Sequence, residues 1–304
     1  MILQNSIGHD DKIKALLLKG TLNMSANQID AWMKYQYDPK HMFCLWEDDQ
    51  ITACLQVHER SMAFKGKQMR VSLLSLACTL PDYRGRKQFS NLLDAIIQQA
   101  TYNDLMSLTY TNMPRIYESK SFQVISSTKE YWISSNQCKK GNPFHVKHTS
   151  ENLYALYFEF MQYFDGSILL KENEFNQLIQ YYKALHKQIV TIYNDNQEVR
   201  GFAVYSTHDK QAHIEILIYF DTQAIQDILT YLSSNCDVTS ILISESERFD
   251  KLFPEQMPRT HSKIMARLNN YKLFDKWTNS TVRNAKEAFE SLDKPQWNHL
   301  QAKM

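Results

Sequence analysis

Residues Val71–Phe89 read VSLLSLACTLPDYRGRKQF. The first nine, Val71–Thr79, are apolar enough for a strand buried on both faces, as a central strand is. Pro81-Asp82 then turns the chain, and Arg84-Gly85-Arg86-Lys87 makes a basic loop. Phe89, Leu92, Leu93, Ile96, Ile97 and Ala100 follow at i, i+3, i+4, i+7, i+8 and i+11, one stripe of an amphipathic helix. A strand, a loop and a helix start in that order turn backbone N–H groups and a positive helix end toward an anion. On spacing alone, three basic residues in a turn also fit a solvated corner.

The rest of the chain sets limits on that reading. Its 304 residues suit two domains of about 150. Apolar residues make up 43% and charged residues 22%, as in a soluble globular protein. With 34 basic against 33 acidic residues the net charge is +1, so no global field selects nucleic acid or a membrane surface as partner. The five cysteines, Cys44, Cys54, Cys78, Cys138 and Cys236, lack CxxC spacing and read as buried thiols in a reducing cytoplasm. The N-terminus lacks the basic and apolar regions of an export signal, and the apolar runs are too short to span a bilayer. His41, His58 and the His145/His148 pair lack metal-ligand spacing, so no metal is expected.

Before the opening stretch, 10–19 and 27–37 read as helices. Phe43–Glu47 and Ile51–Glu59 read as one hairpin, and Arg60–Phe64 with Gln68–Thr79 as a second. After it, Leu105–Tyr110 is a short strand, Pro114 opens a helical piece, and Phe122–Ser126 and Glu130–Ile133 form a strand pair. Ser134–Asn142 is the best linker. The same grammar then repeats: helices over 150–162 and 172–186, three strands to Tyr219, a helix over Asp221–Ser233, and strands at Thr239–Ser244 and Ile264–Leu268. The division expected is a first domain over 1–137, a linker over 138–149, a second over 150–272, and a tail over 273–304 with a helix-like segment at 280–292.

In this order, ACTLPDYRGR, FSNLL and IYESKSF resemble the GNAT acyltransferase fold, in which Q/R-x-x-G-x-G/A holds the pyrophosphate of acetyl-CoA. More closely the chain resembles the tandem-GNAT Eis (enhanced intracellular survival) acetyltransferases over about residues 1–270, with EVRGFAVYS and KIMARLNNYKLF matching the second domain. The resemblance implies an α/β fold of two tandem GNAT-like domains, the second without a cofactor motif, and acetyl-CoA as co-substrate. It implies that Leu76, Ala77 and Cys78 pair with the pantetheine amides as an added strand would. Arg84, Gly85, Arg86, Lys87, Gln88 and Phe89 would wrap the pyrophosphate, and Asn112 and Met113 would lie near the thioester. Tyr117 matches the tyrosine that protonates the departing thiolate, a task that suits a phenol neutral at pH 7.

Two departures bear on the chemistry. Lys87 stands at the first motif glycine and Phe89 at the second small residue, so Lys87 either points outward or obstructs the loop. The chain ends about 30 residues past the second domain, too few for the sterol-carrier-like third lobe of Eis enzymes, whose terminal carboxylate is the general base. The Met304 carboxylate, a water, Glu118 or another carboxylate is the expected base. The function expected is transfer of an acetyl group to a primary amine, an aminoglycoside, a polyamine or a lysine side chain. The alternative is a degenerate, non-catalytic binding module of the same fold. No nucleic acid or membrane partner is expected, and a homo-oligomer is left open.

Overall fold

The computed structural model describes residues 2–21, 24–138 and 140–297. The first half contains β1 (Ile2–Asn5), α1 (Asp10–Gly20), α2 (Ala26–Tyr35), β2 (Met42–Glu47), β3 (Gln50–Phe64) and β4 (Lys67–Thr79). It continues through α3 (Gln88–Asn103), β5 (Met106–Thr111), the short α4 (Pro114–Glu118) and β6 (Gln123–Ser134). The second half runs β7 (Val146–Lys147), α5 (Leu153–Met161), β8 (Ser167–Leu169), α6 (Glu172–Ala184), β9 (Gln188–Tyr193), β10 (Val199–His208) and β11 (Gln211–Tyr219). It closes with α7 (Thr222–Ser233), β12 (Val238–Ser244), β13 (Arg259–Leu268), α8 (Tyr271–Thr278) and α9 (Ala285–Glu290).

Three expectations are corrected. The two pieces split at Arg60 are one strand, β3: Arg60 reads as a polar interruption but is half-buried and paired with Glu174 of α6 at 3.0 Å. The pair assigned to Phe122–Ser126 and Glu130–Ile133 is likewise the single strand β6, because its polar middle faces neighbouring strands on both edges. Within the stretch expected to be a tail, α8 and α9 carry Phe274, Ala288 and Phe289 into a core with Phe64, Val71 and Leu73.

All thirteen strands among the described residues join one mixed sheet, in the order β1-β2-β3-β4-β5-β13-β6-β12-β11-β10-β9-β7, with β8 on β3. Around the β13–β6 pair the order is nearly palindromic. On one side β2, β3 and β4 are antiparallel and α3 crosses to β5, parallel to β4. On the other, β9, β10 and β11 are antiparallel and α7 crosses to β12, parallel to β11. The last strand of the chain, β13, is inserted between β5 and β6, so each half depends on a strand from the other.

Alternation along the strands divides the core between the faces. Val57 and Leu74 face α3 and α4, in a cluster with Leu92, Leu93 and Ile96. Cys54 and Cys78 face α1 and α2, in a larger cluster that continues through α5 and α6 to Phe202 and Ile216 of the second half. The capping box of α2, Ser25 with Gln28, and the buried stripe Ile13, Leu16 and Leu17 of α1 set those helices on the sheet.

Both parallel pairs run together for only four residues: Val71–Leu74 against Met106–Thr109, and Gln211–Ile214 against Val238–Ile241. Beyond that point the strands part. The second parting is closed by the chain itself. Ser244 and Ser246 donate to the Gln296 carbonyl, while the Trp297 indole donates to buried Glu247 at 3.0 Å. Tyr219 at the end of β11 bonds the same carboxyl, whose pKa burial pushes up to about 7. Among the described residues the first parting has no such closure and forms a cleft.

At the rim of that cleft Gly20 ends α1 against β4. A Cβ built there would meet Cys78 Sγ at 2.3 Å and the Thr79 carbonyl oxygen at 3.3 Å. Gly20→Ala is therefore expected to cost about 1–3 kcal/mol, read as a lower midpoint in urea unfolding. An unchanged midpoint would mean that α1 does not rest on β4.

Candidate active site

The cleft originates in one extra residue. Between the Cys54–Cys78 and Gln56–Ser75 pairs, β3 has only Leu55, whereas β4 has Leu76 and Ala77. Leu76 takes φ +44°, a left-handed conformation that a γ-branched side chain adopts only at some cost. This bulge bends β4 away from β5 just past the last parallel pair, while β13 holds β5 in place as far as Thr111. The result is a cavity of about 660 Å³ between two strand edges. Leu76, Ala77 and Cys78 line one wall, Asn112 and Met113 the other, and Phe89 and Tyr117 line the cavity as well.

Each residue singled out in the loop has a definite place. Gly85 supplies a turn at φ +76°. Arg84 lines the cavity, but its Nη2 donates to the Gly20 carbonyl at 2.7 Å and its Nε to the Thr79 carbonyl at 3.3 Å. It therefore clamps the loop to the end of α1, where a cation also suits the helix dipole. Arg86 lies over the Tyr83 ring at 5.1 Å. Gln88 is turned inward, bonded to Thr52 and to Glu47, so only its main chain can meet a ligand.

Lys87 has φ +59° as the residue before α3, the left-handed conformation that explains why a glycine fits the pattern there. Its side chain is exposed and does not line the cavity. No side chain caps α3 and its first turn holds no acidic residue, so its first N–H groups and positive dipole end face outward at the cleft. The corresponding helix of the second half, α7, is capped by its own Asp221, which also pairs with Arg200.

Tyr117 sits on α4, opened by Pro114, between Phe89 at 5.8 Å and Phe122 at 5.5 Å, both edge-to-face. Phe89, at the position where the motif prefers a small residue, is thus part of the tyrosine's packing. Burial pushes the Tyr117 phenol above its ordinary value, opposed by a hydrogen bond with Thr109, so it is a neutral proton donor at pH 7. The same Thr109 hydroxyl, with one proton to give, also lies 3.3 Å from the Leu74 carbonyl oxygen, at the fork where the strands part. Burial pushes the Cys78 thiol up to about 11, which keeps it protonated near neutral pH.

Ser75 belongs to the cleft wall, and its Oγ is buried without a hydrogen-bond partner among the described residues. Glu118 is exposed on α4 and does not line the cavity, and Met304 lies outside the described residues. Several wall residues escaped the sequence reading. His261 and Ser262 come from β13, where His261 is the extra residue of a bulge opposite Lys129 and Thr128. Thr21 and Met24 come from the α1–α2 connection. No local signal links these positions to Val71–Phe89, because only the strand insertion brings them there. Among the described residues no group of three or more His, Cys, Asp or Glu is placed to hold a metal ion, and no helix is long and apolar enough to cross a membrane.

Residues 12–125 match the family model of the acetyltransferase (GNAT) domain. No curated protein matches the chain. Similar solved structures include a probable N-acyltransferase of unknown function from Enterococcus faecalis, at 14% identity and TM-score 0.71 over 88% of this chain and 72% of that one. A GCN5-related N-acetyltransferase from Anabaena variabilis aligns at 13% identity and TM-score 0.70, over 88% and 73%. Eis1 from Mycobacterium abscessus aligns at 12% and 0.64, over 88% and 73%. At such identities the likeness is one of fold: the mixed α/β fold of GNAT-type acetyltransferases.

Lys87 supplies the test of the loop. Glycine relieves a left-handed strain of about 1–2 kcal/mol against a loss of about 0.5–1 kcal/mol to unfolded-chain entropy. Lys87→Gly is therefore expected to raise the thermal midpoint slightly. A lowered midpoint would show that the lysine side chain holds the loop.

Proposed function

We propose that this chain is an acetyl-CoA-dependent N-acetyltransferase that acts on a primary amine. The observation that carries the reading is the forked edge of β4 and β5 beside an uncapped helix start, with a neutral phenol buried at the fork. The likeness of residues 12–125 to the acetyltransferase domain supports it.

In this reading the edge of β4 at Leu76–Cys78 pairs with the pantetheine amides. The first N–H groups of α3 take the pyrophosphate, with Arg86 and Lys87 adding charge at the rim and Arg84 holding the loop in shape. The co-substrate supplies an activated acetyl group as a thioester. Backbone N–H groups of the bent strand polarise its carbonyl, Asn112 and Met113 flank it, and the Tyr117 hydroxyl gives a proton to the leaving sulfur. Lys87 is compatible with this arrangement, since its side chain points away from the cavity.

The tandem, Eis-like division of the chain belongs to the same proposal. It is supported by the mirrored order of β2–β5 and β9–β12 and by the likeness to Eis1. The second half then serves as a scaffold: it lends β13 to the first, while its own fork is closed by Gln296–Trp297.

Isothermal titration with acetyl-CoA and with coenzyme A tests the reading, and binding of both is expected. Tyr117→Phe should then lower turnover by about 100-fold with cofactor affinity retained. Absence of binding at millimolar ligand would sink the enzyme reading in favour of a non-catalytic module, and undiminished turnover would remove Tyr117 from its role.

A further inference from the structure

An amine that reaches this cleft as an ammonium ion must lose a proton before it can attack, and the acyltransferase reading leaves the acceptor of that proton open. The cavity narrows the choice. Among its described lining residues none is Asp or Glu, Cys78 and Tyr117 are held protonated, and Arg84 is always charged. The one imidazole among its described lining residues is that of His261. His58, the other histidine of the first half's inner sheet, lies buried on β3 away from the cavity wall, and burial holds its imidazole well below the usual range.

His261 is also placed deliberately. Thr260 pairs with Lys129 and Ser262 with Thr128, which leaves His261 as an extra residue in β13, outside the ladder and on the cavity lining. It lies at the end of the strand that the second half inserts beside β5, past the Lys263–Thr111 pair and next to the wall formed by Asn112. The packed elements surround it with mixed charge: Arg259 and Lys263 on β13, Lys129 and Glu130 on β6, Glu245 after β12, Tyr110 on β5 and Arg84 on the cleft wall.

Resting on the acetyltransferase reading, we infer that His261 is the general base that deprotonates the acceptor amine, a catalytic residue supplied to the first half's cleft by the second half's strand. The steps balance. The ammonium N–H proton passes to the imidazole and later to solvent. The amine lone pair forms the C–N bond, the C–S bond breaks with its electron pair on sulfur, and Tyr117 protonates that sulfur. The second amine proton, lost as the amide forms, restores the phenol.

The test is the pH–rate profile of acetyl-CoA cleavage, with benzylamine as the probe acceptor and water as the alternative, read by thiol release. Activity should fall on the acid side of its profile, as protonation removes the imidazole lone pair. His261→Gln should lose about 100-fold at neutral pH and lose that acidic limb, with coenzyme A affinity retained. Added imidazole should restore turnover to His261→Ala, which a merely structural role would not allow. A profile flat down to pH about 4, as expected if the Met304 carboxylate with its pKa of about 3.3–3.7 were the base, would overturn the inference. So would activity in His261→Gln equal to wild type, or binding of acetyl-CoA with cleavage in neither assay. Failure to bind acetyl-CoA at all would instead sink the acyltransferase reading beneath it.

Discussion

The structure turns on a single surplus residue in β4. With Leu76 and Ala77 set against Leu55 alone, the strand cannot stay beside β5, and everything at the site follows from that parting. Two strand edges are left facing one another with main-chain groups to offer, and α3 begins where they open. The surrounding contacts hold the bend against its strain: Gly20 lets α1 approach Cys78, Arg84 ties the loop to Gly20, and Thr109 bonds Leu74 at the fork.

The second half makes the same parting and disposes of it differently. Its β11 and β12 also separate after four paired residues, but Glu247, Tyr219 and Trp297 fill the space and Asp221 caps the helix that would otherwise present free N–H groups. An anion-binding helix end and a capped one are alternatives at the same topological place. The contrast supports the proposal that the fork of β4 and β5 is the one that receives a ligand, and it rests on particular side chains. The insertion of β13 ties the closed half to the open one, since it completes the sheet beside β5 and brings His261 and Ser262 to the cavity.

Much of this was legible in the sequence. Val71–Thr79, the basic loop and the Phe89–Ala100 stripe specify a buried strand, a turn and an amphipathic helix by local pattern alone, and the structure forms them there. The left-handed φ at Lys87 answers the question its motif position raised: the backbone adopts the glycine-like turn and the side chain goes outward. What stayed hidden depends on long-range pairing. Arg60 looked like a break because its partner Glu174 lies 114 positions away. Gln88 and Arg84 looked like phosphate ligands, yet their side chains are engaged with Glu47 and Gly20. No periodicity marks His261, whose place depends on a bulge and a strand insertion.

The central claim is that the fork of β4 and β5, with the start of α3, is the ligand site. Amide hydrogen exchange with and without coenzyme A tests it most directly, since bound ligand must bond the exposed main chain. The account predicts slowed exchange at Leu76–Thr79 and Lys87–Asn91, with β11 and β12 unchanged. Coenzyme A that binds but slows exchange instead at Glu215–Tyr219, or nowhere along β4 and the start of α3, would contradict it.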